Sequence, residues 1–260
     1  MKEAVILKYD GTLEGFLTCV FTVFEQKLRV TSISNDNEIQ QDFFSIPEEI
    51  ITDTGKAERV KKGMQDRISP QGRKQLYFAF LSEIPGIEMT MLSYIQMAFR
   101  DPNFSCKDFG NPVILKISQV AKMVSREKHR MEAFVRFMQT KDNIYFAHIE
   151  PDFNVLPLIL PHFESRYADQ EWIIYDLKRK FGLHYNLKKT SFITLDLSEE
   201  IFKDPSISCV YSTSEKDFQE LWQQYFKSTN IKSRKNMKLH LQHVPKRYWK
   251  YLTEKSAMDN

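Results

Sequence analysis

The segment NPVILKISQVAKMVSREKHRMEAFVRFMQTKDNIYFAHIE, residues 111–150, carries the strongest structural signal because its pattern changes from helical to strand-like. Its first half repeats apolar side chains with the period of an amphipathic helix. From residue 133 the period becomes two, and residues 140–143 have the composition of a turn into a second strand at 144–149. We therefore predict a basic helix that leads into a β-hairpin. The packing face of this helix carries Val113, Ile117, Val120, Ala121 and Val124, and the charged face carries Lys116, Lys122, Arg126 and Arg130.

A second hairpin is predicted further along the chain. The segment EWIIYD at 171–176 alternates in character, and a basic turn at 177–180 returns the chain as a strand at 181–186. Two such hairpins predict an antiparallel sheet of about four or more strands, packed with several helices in an α+β fold. Before the sheet, a strand at 4–9 precedes a helix from Leu13. The other predicted helices cover 57–68, 71–83, 88–99, a short stretch that ends at Arg166, and a segment that starts at Ser214.

Length and composition allow one large globular domain or two small ones. The chain has 260 residues, 42% hydrophobic and 13% aromatic, with only 8 glycines. We expect a single α+β domain over residues 1–260, with a helical subregion at about 56–110 and a basic aromatic tail at 227–255. Neither a signal peptide nor a long apolar segment is evident, which predicts a cytoplasmic protein with no membrane association. Cys19, Cys106 and Cys209 are odd in number and far apart, so we expect reduced packing residues.

Charge is distributed unevenly along the chain. The formal net charge is +3, but residues 227–255 contain nine Lys or Arg and the single acid Glu254. Such a basic stretch is typical of proteins with a polyanionic partner, and it is equally typical of a solvated helical tail.

Common catalytic signatures are missing from the sequence. It contains no GxxxxGK[ST] loop, GxGxxG turn, GxSxG elbow or HExxH pair. The histidines are scattered without a recognisable ligand set, so we predict no metal site and no cofactor.

Basic residues next to aromatic ones form the remaining pattern. Together they provide charges that pair with phosphates and flat rings on which bases stack, which favours nucleic-acid binding. The alternative to base stacking for Trp249 is burial of its ring, which would fix the tail to the body of the protein. The predicted nucleic-acid-binding residues are Lys122, Arg126, Arg130, Lys178, Arg179, Arg234, Lys235, Lys238, Lys246, Arg247, Tyr248 and Trp249.

An enzyme that acts on DNA is an alternative reading. His129 and His162 are candidates for proton transfer, Arg136 and Arg166 for anion stabilisation, and Asp176 for orientation. Convergence of all five side chains in one pocket would favour this reading.

Six motifs span nearly the whole chain: YDGTLEGFLTCVF (9–21), HRMEAFVRF (129–137), PHFESR (161–166), WIIYDLKRKFG (172–182), LWQQYF (221–226) and RKNMKLHLQHVPKRYWKYLTE (234–254). In these motifs the chain resembles a bacterial family labelled probable DNA metabolism proteins, whose domain has no assigned function. Members of that family are encoded beside a radical S-adenosylmethionine protein, and some relatives carry a uracil-DNA glycosylase-like domain. The resemblance implies DNA as a partner and a role in repair or modification. It also implies a third reading, a protein-binding adaptor for the radical enzyme.

Overall fold

A computed structural model describes residues 4–35, 47–195 and 244–252. The chain divides into two compact units, Met1–Ser125 and Arg126–Asn260. The expectation of a single domain stays a prediction. The helix predicted to begin at Ser214 lies outside the described residues. The same is true of Cys209, Arg234, Lys235 and Lys238.

The first unit contains a small parallel sheet and mostly helices. Strands β1 (Ala4–Tyr9), β2 (Arg29–Asn35) and β3 (Glu48–Glu49) pair in the order β2-β1-β3, and both pairings are parallel. Helix α1 (Leu13–Gln26) connects β1 to β2, as parallel pairing requires. Helices α2 (Thr54–Arg67), α3 (Pro70–Phe80) and α4 (Ile87–Arg100) follow in the chain. Their buried apolar side chains share one core with β1 and α1.

Asp10 organises the turn between β1 and α1. Its carboxylate accepts hydrogen bonds from the Thr12 backbone (2.9 Å), the Thr12 hydroxyl (2.7 Å) and the Thr52 hydroxyl (2.7 Å). Thr12 in turn caps α1 by accepting from the Gly15 N–H. Partial burial acts to raise the pKa of Asp10, but these hydrogen bonds outweigh it and lower that pKa. Asp10 therefore has the structural turn role that its position before a helix favours.

Helix α5 (Pro112–Phe134) runs from the first unit into the second. Asn111 begins it by accepting the Val113 N–H at 2.9 Å. The helix continues past Met131, where the sequence pattern had predicted a strand, because the Val135 N–H still bonds to the Met131 carbonyl. The strand that follows is therefore shorter than predicted.

The second unit is built on a five-stranded sheet. The strands are β4 (Met138–Gln139), β5 (Tyr145–Ile149), β6 (Trp172–Asp176), β7 (Phe181–Tyr185) and β8 (Thr190–Ile193), paired in that order. Both predicted hairpins, β4–β5 and β6–β7, are antiparallel. The β5–β6 pair is parallel because helix α6 (Leu156–Arg166) connects the two strands, so the sheet is mixed and the prediction of a purely antiparallel sheet is wrong. The fold is α+β.

A 3-10 helix (Lys246–Tyr251) is the last element described. Among the helices in the described ranges, none has the length and apolar character needed to cross a bilayer. Cys19 and Cys106 are buried free thiols, and burial raises the pKa of Cys19 to about 12.

Candidate functional site: a basic loop cluster and an adjoining groove

Three separate segments of the second unit meet at residues 151–152, which we call the 151–152 loop. The Asp152 N–H donates to the Glu127 carboxylate at 2.9 Å, which attaches the loop to α5. From the β6–β7 turn, Lys178 donates to the Asp152 carbonyl at 3.3 Å and Arg179 donates to the same carbonyl at 3.0 Å. From the 3-10 helix, Arg247 forms an ion pair with the Asp152 carboxylate. The fold thus brings bases that are distant in sequence to one loop.

Glu127 is the buried centre of this cluster. Its side chain is only 1% exposed and accepts the Tyr248 hydroxyl at 2.5 Å and an Arg247 N–H at 3.1 Å. Arg130, one turn later on α5, lies 3.7 Å from the same carboxylate. Tyr248 is buried, and burial together with Glu127 raises its pKa. In this arrangement Tyr248 holds the 3-10 helix to α5, and its ring is covered.

Asp176 and Arg179 shape the β6–β7 turn. The Asp176 carboxylate is fully buried and accepts the backbone N–H groups of Lys178 and Arg179, at 2.9 and 3.1 Å. The Arg179 guanidinium donates to it at 2.9 Å and also reaches the Pro151 carbonyl. Burial raises the pKa of Asp176, and the guanidinium and the two N–H groups oppose that rise. Arg179, whose side chain is 9% exposed, is therefore part of the turn's internal structure.

The 3-10 helix has a second attachment next to the loop. The Tyr251 hydroxyl donates to Glu150, and the Tyr251 ring packs edge-on against His148 with 5.3 Å between ring centroids. Trp249 is half-buried, its indole N–H donates to the Val244 carbonyl at 3.1 Å, and the Lys246 ammonium lies 6.0 Å from its ring. The tryptophan thus has a fixed position and stays partly exposed.

A groove of about 620 Å³ lies between α5 and α6. On the α5 side, Lys128 and Glu132 form an ion pair at 2.8 Å. On the α6 side, His162 and Arg166 stand one turn apart. The complete lining is Lys128, Glu132, Leu158, Pro161, His162, Ser165 and Arg166.

The five candidate catalytic residues do not meet in this groove. His162 and Arg166 line it, and His129, with its side chain 86% exposed, approaches Glu132 at 3.8 Å. Arg136 donates instead to the carbonyls of Ala133 (2.8 Å) and Val135 (3.2 Å). Asp176 is bonded to Arg179 in the β6–β7 turn. Within the described ranges, no three His, Cys, Asp or Glu side chains are arranged to hold a metal ion.

The predicted nucleic-acid-binding residues fall into three groups. One group meets around the 151–152 loop: Arg130, Lys178, Arg179, Arg247 and Tyr248. A second group is exposed at other positions of two of the same elements: Lys122 and Arg126 on α5 and Lys246 on the 3-10 helix, which also carries half-buried Trp249. The third group, Arg234, Lys235 and Lys238, lies outside the described residues.

Sequence reasoning missed the acids that organise the cluster, namely Glu127, Glu150 and Asp152. The sequence pattern indicated bases and aromatic rings, whereas the fold positions those bases through carboxylates. A signal did exist for Glu127, because an acid three residues before Arg130 on a basic helix pairs with it across one turn.

Comparisons with known proteins identify the family without supplying a reaction. No curated protein and no solved structure matches the chain. The model of a domain of unknown function, DUF4130, matches residues 85–254, which is well over half of the chain. The chain therefore belongs to the DUF4130 family.

Proposed function

We propose that the protein binds DNA through a basic surface of its second unit and acts as an accessory protein in DNA repair or modification. One observation carries this proposal: the β6–β7 turn and the 3-10 helix are both bonded to the 151–152 loop. Their exposed bases Lys178, Lys180 and Lys246 are therefore held near the same loop. Clustered cations of this kind favour a polyanionic backbone.

Charge pairing divides the cluster into two roles. Arg130, Arg179 and Arg247 each lie beside a carboxylate, which neutralises much of their charge. Lys178 donates to a neutral carbonyl, so its positive charge is not cancelled by that bond. We infer that the paired arginines set the shape of the surface and that the exposed lysines contact phosphates. Trp249, beside Lys246, offers a ring edge for contact with a base.

A binding titration at two salt concentrations tests this proposal. The ligands are single- and double-stranded DNA with 5′-hydroxyl ends, and the variant is Lys178→Glu/Lys180→Glu/Lys246→Glu. Since each neutralised phosphate contributes about 0.9 to the log–log salt slope on duplex DNA, we expect a lower affinity and a shallower slope for the variant. The control, Lys62→Glu/Lys107→Glu/Lys188→Glu, changes the net charge equally at exposed lysines outside the β6–β7 turn and the 3-10 helix. Equal losses of DNA affinity in the two variants would contradict the proposal. So would a DNA affinity of the native chain that does not change with salt concentration.

The proposed link to a radical S-adenosylmethionine protein is supported by the family resemblance alone. Co-purification of the two proteins after nuclease treatment tests the adaptor reading separately from DNA binding. Persistence of the complex without DNA supports that reading, and its loss on nuclease treatment contradicts it.

A further inference from the structure

The groove between α5 and α6 uses a different side of α5 from the 151–152 loop. Lys128 and Glu132 face the groove, whereas Glu127 and Arg130 face the loop cluster. Residues 127 and 128 are about 100° apart on a helix, so the two sets of contacts are separated by the helix itself. The groove is therefore a distinct place at which a ligand could bind.

Arg166 gives the groove an uncompensated positive charge. Lys128 and Glu132 bind one another at 2.8 Å and neutralise each other. Across the described parts of the chain, Arg166 has no carboxylate partner; its guanidinium lies 5.8 Å from the Tyr167 ring centre. This differs from Arg130, Arg179 and Arg247, each of which lies beside an acid. An arginine left unpaired at the edge of a groove is available to an anionic ligand.

The other lining groups suit one class of anion. His162 and Ser165 add a ring nitrogen and a hydroxyl beside Arg166, and the His162 ring is fixed edge-on against buried Phe163 at 5.1 Å. A phosphomonoester has three terminal oxygens that can accept from several such donors at once, and a guanidinium can bind two of them in parallel. Leu158 and Pro161 provide apolar lining for the body of the ligand.

We propose that this groove binds a phosphomonoester carried on a larger, partly apolar body, such as a nucleoside 5′-monophosphate or the 5′-phosphorylated end of a DNA strand. Its volume of about 620 Å³ lies within the usual range for small-molecule sites, about 300–1,000 Å³. Arg166 would contact the phosphate, with His162 and Ser165 as additional hydrogen-bonding groups. This proposal is independent of the DNA surface at the 151–152 loop.

The test is a calorimetric titration of the full chain with five probes: inorganic phosphate, a nucleoside 5′-monophosphate, the corresponding nucleoside, an oligonucleotide with a 5′-phosphate, and the same oligonucleotide with a 5′-hydroxyl. We expect the monophosphate to bind and the nucleoside not to bind. Arg166→Gln should weaken monophosphate binding roughly tenfold to a hundredfold, because it removes a charge-assisted contact. Arg166→Lys, which keeps the charge but not the planar fork, should give an intermediate affinity.

The matched control is Arg67→Gln, since Arg67 is also an exposed arginine at the end of a helix. It should bind the monophosphate as the native chain does. Stronger binding of the 5′-phosphorylated oligonucleotide than of the free monophosphate identifies a strand end as the ligand, and the reverse order identifies a free nucleotide. Equal binding of nucleoside and monophosphate, equal effects of Arg166→Gln and Arg67→Gln, or no binding of any phosphorylated probe would overturn the proposal. DNA with 5′-hydroxyl ends carries only internal phosphates. If this probe fails to bind, that result counts against the DNA surface at the 151–152 loop and not against the groove.

Discussion

Glu127 shows how a single buried carboxylate can organise a basic surface. A charged group removed from water is costly unless donors replace the lost hydration. Here the Asp152 N–H, the Tyr248 hydroxyl and the Arg247 guanidinium supply those donors, from two other parts of the chain. The acid therefore positions bases that would otherwise repel one another.

Replacement of Glu127 should consequently destabilise the second unit. Glu127→Gln keeps the shape of the side chain but loses its charge, and we expect a loss of about 1–3 kcal/mol in the free energy of unfolding. Glu127→Ala also leaves the donors without an acceptor and should cost about 3–5 kcal/mol. Urea unfolding measures both values. Glu49→Gln, on an exposed position of β3, should stay within about 0.5 kcal/mol of the native chain. A Glu127→Gln variant as stable as that control would show that the cluster contributes little.

Single residues were predictable where spacing along a helix determines which side chains are neighbours. The one-turn separation of His162 and Arg166 was visible in the sequence, and both line the groove. The pairing of Arg247 with Glu127 was not, because 120 residues separate them and no local pattern records such a contact.

Among the elements, the β6–β7 hairpin was the clearest from sequence. Alternation over 171–176 and a basic turn specify antiparallel strands locally, and the Asp176 side chain stabilises that turn by accepting two backbone N–H groups. Gly182 fits the pairing closely, since an added Cβ would lie 2.7 Å from the Ile174 carbonyl oxygen. The parallel β5–β6 pair could not be read in this way, because its register depends on how α6 packs over the sheet.

The 3-10 helix should loosen at alkaline pH. Burial and the neighbouring carboxylates Glu127 and Glu150 raise the pKa of Tyr248 and Tyr251 above the value near 10 expected in the unfolded chain. Because the folded state retains these protons longer, their stabilisation is complete below about pH 10 and is lost as the pH rises through the folded-state pKa. Denaturant unfolding at about pH 8 and about pH 10.5 should therefore show a drop in stability.

The variant Tyr248→Phe/Tyr251→Phe separates this effect from general alkaline denaturation. It should be less stable than the native chain by about 1–3 kcal/mol at pH 8, since two hydroxyl donors are lost. It should then lose less stability on going to the higher pH, because the replaced rings cannot ionise. Tyr145→Phe on β5 controls for the loss of a hydroxyl as such. A drop of equal size in the double variant and the native chain would count against the two tyrosines as its source.

For the molecule as a whole, α5 is the element that belongs to both compact units. Its earlier residues Ile114, Ile117 and Val120 are part of the first unit's core, whereas Glu127 centres the cluster in the second. The division falls after Ser125, in the middle of the helix. Unit boundaries usually show as flexible, polar or Pro/Gly-rich segments, and a continuous helix has no such composition. The sequence therefore contains no compositional signal for the division after Ser125.

Continuity of α5 can be tested at this boundary. Ser125 is exposed, so a substitution there acts mainly on the helix. Ser125→Pro removes a backbone donor and introduces a steric clash, and should cost about 3 kcal/mol or more in stability with a loss of helical circular dichroism. Ser125→Ala favours the helix and should stay within about 0.5 kcal/mol of the native chain. Similar behaviour of the two variants would mean that α5 need not be unbroken at Ser125.

The attachment of residues 247–251 to Glu127, Glu150 and Asp152 has a consequence for biosynthesis. Domains tend to fold as they emerge from the ribosome, beginning at the amino terminus. The described core of the first unit consists of residues that emerge early, so it can begin to fold during translation. In the second unit, three acidic side chains gain these partners only after residues 247–251 have left the ribosome, so the cluster is completed at a late stage of synthesis.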